Sequence, residues 1–230
     1  MAKSKNTKKT RKTKKKAKKI LIFCAHPDDE VIGAGGAIAH YKKKGLTSLA
    51  IIFSYGEGSH PWQKKKFIAK TRVQECRRAG KIIGCEEHVF LGLKDGTLQS
   101  GVKKPFVAKS IRKIVEQNKP KKIFTHSKDD PFPDHRAVHR IVSETLHKMK
   151  YKCDLYSFDI WNPFNIRSRN QPKLVVDISK EFKDKIKAIK IFKSQKANAI
   201  ILLTPLIYLR AILNGIYYGY KFAEVFLKIK

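Results

Sequence analysis

The sequence predicts an α/β protein: a three-layer sandwich in which a Rossmann-like, mostly parallel sheet lies between two layers of helices. Three observations lead to this fold class. Strand-like apolar runs alternate with helix-length segments along the chain. Each early segment is long enough to form the crossover that joins two parallel strands. The length of 230 residues and the hydrophobic content of 42% suit one well-buried domain.

Six short runs rich in β-branched and aromatic residues are expected to form strands. They are residues 20–24, 48–53, 88–91, 122–125, 154–159 and 174–177. Helices are expected at residues 31–43, 64–83, 105–116, 135–148 and 180–193. The last of these segments repeats apolar side chains three and four residues apart, which is the spacing of one helix face. Gly45 and Gly84 follow the first two helices, where glycine commonly ends a helix.

The positive charge of the chain is unusual in both size and distribution. The formal net charge is +32, and 11 of the first 19 residues are Lys or Arg, with no acid among them. This stretch has no apolar periodicity, so we expect residues 1–19 to be a disordered basic tail and residues 20–230 to be a single domain. The tail could bind a polyanion or an anionic membrane surface, or it could only increase solubility.

The expected location is the cytoplasm. The chain has no secretory signal pattern, and its four cysteines lack the CxxC spacing, which favours reduced thiols. Residues 199–220 are markedly apolar, but Pro205, Arg210 and Asn214 interrupt them within the length of a membrane span. We therefore expect a buried or partly interfacial helix there. The protein would be peripheral at a membrane if the tail binds lipid.

Two charged clusters follow strand-like runs. HPDDE, residues 26–30, follows the first run, and HSKDDPFPDH, residues 126–135, follows the fourth. In strand order 3-2-1-4 these strands are neighbours, and ligands of such sheets bind beyond the carboxyl ends. His26, Asp29 and His135 could then reach one ion and leave a position open, as in a catalytic zinc site. Asp28 lies beside them, where a general base would be suitable.

Simpler structural roles compete with this interpretation. Asp28 or Asp29 could cap the helix that starts near Val31, and Asp134 could cap the helix that contains His135. The sequence GAGG, residues 33–36, lacks the spacing of a dinucleotide loop and is better explained by close helix packing. The presence of both clusters at one edge of the sheet favours the site.

The motif AHPDDE, residues 25–30, followed by a glycine-rich helix start, resembles the PIG-L/LmbE-like N-acetylglucosaminyl deacetylases, which are zinc hydrolases with a Rossmann-like fold. Further segments resemble the same family. They are SYGEG at 54–58, RVQE at 72–75, GLKDG at 92–96, TH at 125–126, PDH at 133–135, SQ at 194–195 and AEVF at 223–226. The resemblance therefore extends over most of the chain beyond the tail.

The resemblance implies one Zn²⁺ per chain, or another divalent metal, held by His26, Asp29 and His135. It also implies that Asp28 is the general base and that the substrate is an N-acetylated amino sugar. Arg72 and Asp95 would lie near this sugar. Without the resemblance, Arg72 would be interpreted as part of a surface pair with Glu75, a contact that contributes little.

One residue departs from the family pattern. Many members have a histidine where this chain has Phe132, and that histidine would assist the oxyanion or the leaving amine. His126 or His139 could take this role. The alternative functions are a metal-dependent amidohydrolase acting on a non-sugar N-acyl amine and a catalytically weak polyanion-binding protein. The Lys and Arg residues are spread throughout the chain, which argues against a dedicated nucleic-acid surface. A homo-oligomer is compatible with the sequence.

Overall fold

The computed structural model describes residues 19–60, 62–162 and 171–230. The strands are β1 (Lys19–Cys24), β2 (Thr47–Ser54), β3 (Glu87–Leu93), β4 (Lys122–His126), β5 (Asp154–Phe158), β6 (Lys173–Asp177) and β7 (Ala223–Lys228). The helices are α1 (Asp29–Lys43), α2 (Lys65–Ile83), α3 (Leu98–Gly101), α4 (Pro105–Asn118), α5 (Pro133–Lys148), α6 (Phe182–Ile189) and α7 (Ile201–Tyr218). The expected basic tail, except Lys19, lies outside the described residues.

Seven strands form one sheet in the order β3-β2-β1-β4-β5-β7-β6. The first five strands of the chain pair in parallel, whereas β7 runs antiparallel to both of its neighbours. The predicted order 3-2-1-4 and the mostly parallel α/β architecture are confirmed. β1 lies in the middle of this sheet and is buried from Ile20 onward, which explains why its sequence is a continuous apolar run.

Helices cover both faces of the sheet. α1, α2, α6 and α7 contribute to the apolar core on one face, and α3, α4 and α5 contribute to the core on the other. α1 lies so close to the sheet that a Cβ atom at Gly33 would overlap the ring of Phe158. This contact confirms that the glycine-rich stretch serves close packing.

The C-terminal part of the chain differs most from expectation. The apolar residues near 199–220 form α7, preceded by a π-helical turn at Lys196–Ile200. α7 is long and apolar enough to cross a membrane, but it packs one face on the domain and exposes the other. It is therefore not a buried helix. β7 was not expected as a strand, because its short run stood out in the sequence only as a family-like pattern.

Candidate active site

A cleft opens at the carboxyl ends of the central strands. The loop after β1 carries His26 and Asp28, and the segment after β4 leads into α5, which carries His135. β1 and β4 are paired in parallel, so these loops emerge side by side. The cleft has a volume of about 530 Å³, which is within the usual range for a small-molecule site. Its walls include His26, Asp28, Asp29, Arg72, Asp95, Phe132, His135 and Trp161.

His26, Asp29 and His135 converge in this cleft. One potential ligand atom from each lies within 4.8 Å of the others. His26 Nδ1 is 3.7 Å from Asp29 Oδ2, and His135 Nε2 is 3.6 Å from Asp29 Oδ1. Both distances exceed an ordinary hydrogen bond, and they suit two ligands that are each about 2 Å from one tetrahedral ion. The donor set therefore fits a divalent metal.

A carboxylate contacts the outer nitrogen of each imidazole. His26 Nε2 is 3.0 Å from Asp95 Oδ1, and His135 Nδ1 is 3.0 Å from Asp130 Oδ1, although the angle of the second contact departs from that of a full hydrogen bond. Metal-binding histidines commonly have such a partner, because it fixes the tautomer and the ring orientation. The inner nitrogens, His26 Nδ1 and His135 Nε2, are directed toward Asp29.

The electrostatics of the cleft favour a cation. Burial lowers the pKa of His26, but the carboxylates of Asp134, Asp95 and Asp29 outweigh it and raise that pKa to about 10. Burial raises the pKa of Asp29, but His135 and His126 outweigh it, so the net shift is downward. The carboxylates therefore concentrate negative charge at one buried point of a strongly basic chain.

Asp28 has a strained backbone and an engaged side chain. Its φ of 130° is rare for a residue other than glycine, and such strain is concentrated at functional sites. It occupies the position before α1, but its side chain does not cap the helix, so capping does not explain it. Its Oδ2 instead accepts a hydrogen bond from Arg72 Nη2 at 3.0 Å. Burial raises the pKa of the Asp28 carboxyl to about 7, with Arg72 acting in the opposite direction.

Arg72 and Glu75 are both buried, so the surface-pair interpretation is wrong. Arg72 donates to the carbonyls of Pro27 and Gly56 as well as to Asp28. Gly56 has a φ of 66°, and a Cβ atom there would overlap the guanidinium. Glu75 accepts hydrogen bonds from the backbone N–H and the hydroxyl of Ser194. The RVQE segment thus joins three loops around the cleft.

Asp134 and Asp130, two acidic residues beside the cleft, have hydrogen-bond partners that the sequence did not predict. Asp134 does not cap α5; its carboxylate accepts hydrogen bonds from the backbone N–H groups of Gly96 and Leu98, at 2.9 and 3.0 Å. Asp130 accepts one from the N–H of Phe132 and contacts His135. The sequence signal was present, because both acids belong to the second charged cluster. The partners of Asp134 are distant in sequence, whereas Phe132 and His135 lie within the cluster itself.

Neither His126 nor His139 is among the residues that line the cleft, although His126 Nε2 is 3.1 Å from Asp29 Oδ2 and its ring stacks on that of His135. His126 is fully buried behind Asp29, where its Nε2 accepts a hydrogen bond from the N–H of Ala25. His139 Nδ1 donates to the carbonyl of His126 at 2.8 Å. Phe132 does line the cleft, is 44% exposed, and stacks on both His135 and Trp161. The histidines therefore hold the β4 end in place, whereas Phe132 forms a wall.

This arrangement defines a metal-dependent hydrolase: two imidazoles and a carboxylate around one point, with a further buried carboxylate beside them. The model of the PIG-L family, described as GlcNAc-PI de-N-acetylase, matches residues 21–146. The chain belongs to this family. It is therefore an N-deacetylase, a metal-dependent hydrolase of amide bonds.

Curated relatives support the same class. The chain is 26% identical over 185 residues to the probable N-acetyl-alpha-D-glucosaminyl L-malate deacetylase 2 of Bacillus cereus, covering 77% of this chain and 84% of that protein. It is also 26% identical over 155 residues to the 1D-myo-inositol 2-acetamido-2-deoxy-alpha-D-glucopyranoside deacetylase of Saccharomonospora viridis, covering 56% and 58%.

Solved structures confirm the fold. The N,N'-diacetylchitobiose deacetylase of Pyrococcus horikoshii aligns with a TM-score of 0.77 at 22% identity, covering 94% of this chain and 85% of that one. GalB, a 4-carboxy-2-hydroxymuconate hydratase of Pseudomonas putida, aligns with a TM-score of 0.78 at 20% identity, covering 93% and 96%. A hydratase with this fold illustrates that function has to be argued from the site.

Proposed function

We propose that the protein removes the N-acetyl group from a substrate that contains N-acetylglucosamine, using one zinc ion held by His26, Asp29 and His135. The single observation that carries this proposal is the paired orientation of the two histidines. Each directs one ring nitrogen toward Asp29, while a carboxylate contacts the other nitrogen. Imidazole and carboxylate ligands suit zinc, although another divalent metal could bind the same set.

When bound, the metal would act as a Lewis acid that lowers the pKa of a bound water and polarises the amide carbonyl. We assign Asp28 to accept a proton from the attacking water. Its Oδ2 is engaged by Arg72, which leaves Oδ1 for this transfer. Arg72 positions Asp28, because its guanidinium donates to Asp28 and to two backbone carbonyls. Since Arg72 also lines the cleft, we keep it as a residue that binds the sugar. Asp29 and His135 would hold the metal from two sides, since Asp29 Oδ1 and His135 Nε2 face one another 3.6 Å apart.

The substrate class follows from the walls of the cleft and from the relatives. Asp95 lines the cleft and, as an ionised carboxylate, has acceptor capacity beyond its contacts with His26 and the Gly58 N–H. We assign it to sugar hydroxyls. Phe132 and Trp161 stack 5.2 Å apart and form an aromatic wall that suits the apolar face of a sugar ring. The substrates named for the two curated relatives carry malate or inositol on the sugar. We therefore expect the group attached to the sugar to be the part that varies.

Phe132 favours a second candidate, which is weak catalysis with retained metal and polyanion binding. The phenyl ring of Phe132 has no N–H or O–H group, so it cannot donate to an oxyanion or protonate an amine. We also keep as proposals the binding of a polyanion or anionic membrane surface by the tail, a cytoplasmic location and a homo-oligomer. The free state of the four cysteines supports the location. A non-sugar N-acyl amine is the alternative substrate class.

Elemental analysis combined with an acetate-release assay tests these proposals. The substrates are N-acetylglucosaminyl malate, N-acetylglucosaminyl inositol and a panel of simple N-acetylated amines. We expect about one metal per chain and acetate release from the sugar conjugates only. Release from the simple amines alone would overturn the substrate class. Bound metal with no release from any substrate would favour the second candidate.

A further inference from the structure

The outward face of α7 is apolar along its whole length. The helix packs on the domain through Leu203, Ile207, Ala211 and Gly215, which lie four residues apart. On the other side, Leu202 is 62% exposed, Ile216 70% and Tyr217 80%. Further exposed apolar side chains of this helix are Ile201, Tyr208, Leu209, Ile212 and Leu213. A surface helix normally has polar residues opposite its buried stripe, whereas α7 has apolar residues there.

The part of the chain that contains this face is basic. Within the described part of residues 178–230, the exposed charged side chains are all lysines: Lys180, Lys183, Lys187, Lys190, Lys193, Lys221, Lys228 and Lys230. Of the acids in this range, Glu181 and Glu224 are buried, and Asp184 pairs with Lys187. Ring contacts of Phe182 with Tyr208 and Phe222 join α6 to α7. Lys221 follows the end of α7 and lies over the ring of Phe222, and Lys183 adjoins Phe182, which contacts Tyr208, so these lysines border the apolar face. Lys228 is farther along the chain and pairs with Asp154.

The helix is fixed to the domain and does not stand free. Arg210, in the middle of α7, donates from Nη1 to the carbonyl of Asp159 at 2.7 Å. Leu203, Ile207 and Ala211 belong to the core that α1 and α6 share. Crossing a bilayer would require these contacts to break and would bury Arg210 in hydrocarbon. The geometry suits a helix that lies in the plane of an interface with its outward face inserted.

Either a bilayer or a second copy of the chain could cover the outward face of α7, and the charge of the chain favours the bilayer. Two copies at +32 each would repel one another when their apolar faces meet. An anionic bilayer surface attracts the same lysines while it accepts the apolar side chains. The tyrosines on this face, Tyr208 and Tyr217, have an apolar ring and a polar hydroxyl, as residues at a membrane boundary commonly do.

We propose that the outward face of α7 docks on an anionic phospholipid bilayer, with the helix parallel to the membrane and the neighbouring lysines among the lipid headgroups. Ala199 and Leu203, at the start of this helix and just before it, also line the candidate active-site cleft. Docking therefore places one wall of the cleft near the membrane surface. The proposal does not depend on the reaction that the cleft catalyses.

Vesicle flotation tests this proposal with the full chain. The vesicles are phosphatidylcholine alone or phosphatidylcholine with phosphatidylglycerol. The variant Leu202→Gln/Ile216→Gln removes two of the most exposed apolar side chains of α7 without changing charge. The control Phe106→Gln removes a 45% exposed side chain from α4, on the opposite face of the sheet. Both proteins keep the basic tail, so its contribution cancels in the comparison.

We expect the parent and Phe106→Gln to float with anionic vesicles and much less with phosphatidylcholine alone. The α7 variant should bind anionic vesicles at least about tenfold more weakly, because two apolar side chains no longer leave water. Circular dichroism should show that the variant remains folded. Equal binding by parent and variant would overturn the proposal and assign the affinity to lysines alone. A parent dimer that dissociates on this substitution, without vesicle binding, would overturn it in favour of a second copy.

Discussion

Arg72 donates a hydrogen bond to Asp28 across the base of the cleft, at 3.0 Å between Nη2 and Oδ2, and both side chains are buried. The contact joins α2 to the loop after β1, two segments that are 44 residues apart in sequence. It relates the fold directly to the proposed chemistry, because the residue assigned as general base is held by a buried cation in the wall of the cleft.

Removing the guanidinium of Arg72 should lower the stability of the folded protein. In Arg72→Ala, Asp28 would remain buried without its partner, and the free energy of unfolding should fall by about 3–5 kcal/mol, the range for breaking a buried pair. Urea denaturation measures this loss. Arg78→Ala is the matched control, since Arg78 is exposed on the same helix and should change stability little. Equal effects of the two substitutions would contradict the buried contact.

Neutralising the proposed base should affect turnover more than metal content. Asn at position 28 keeps an oxygen that can accept the Arg72 hydrogen bond, so the fold should persist. In Asp28→Asn, kcat should decrease by roughly 10²–10⁴, the range expected for general base catalysis, while elemental analysis finds the metal retained. Unchanged turnover would transfer the role to another carboxylate, and Glu30→Gln would then be examined first.

The metal should depend on His135 and, more weakly, on Asp130. His135→Ala should lose the metal, whereas Asp130→Asn should weaken metal affinity by about 10–100-fold, the usual effect of removing the partner of a ligand histidine. Titration calorimetry with Zn²⁺ measures both. His147→Ala is the control, because His147 is exposed on the same helix. Full metal content in His135→Ala would show that the proposed ligand set is wrong.

Restoring the family histidine should increase activity. Neither His126 nor His139 lines the cleft, whereas Phe132 does, so Phe132→His would place an imidazole where this chain has only a ring of carbon atoms. The rate of acetate release should rise by up to about 10²-fold, the scale of one oxyanion donor. Phe132→Leu controls for the loss of aromatic stacking. If Phe132→His gives no increase and His126→Ala or His139→Ala abolishes activity, one of those histidines serves instead.

The sequence was sufficient for the fold class, the order of the first four strands and the convergence of His26, Asp29 and His135. Apolar periodicity is local, the rules for βαβ connections restrict the topology, and the short charged clusters lie next to the strands that position them. These features depend on spacing along the chain, so they could be predicted before any contact was known.

Only the tertiary structure decided which distant side chains meet. It paired Arg72 with Asp28, directed Asp134 to the turn after β3 in place of a helix cap, and left His126 and His139 outside the cleft. It also exposed the outer face of α7, whose sequence is apolar on both the packed and the exposed side and therefore does not indicate which of the two is packed. The physical reason is that burial and pairing depend on the relative positions of whole elements, which sequence spacing does not specify.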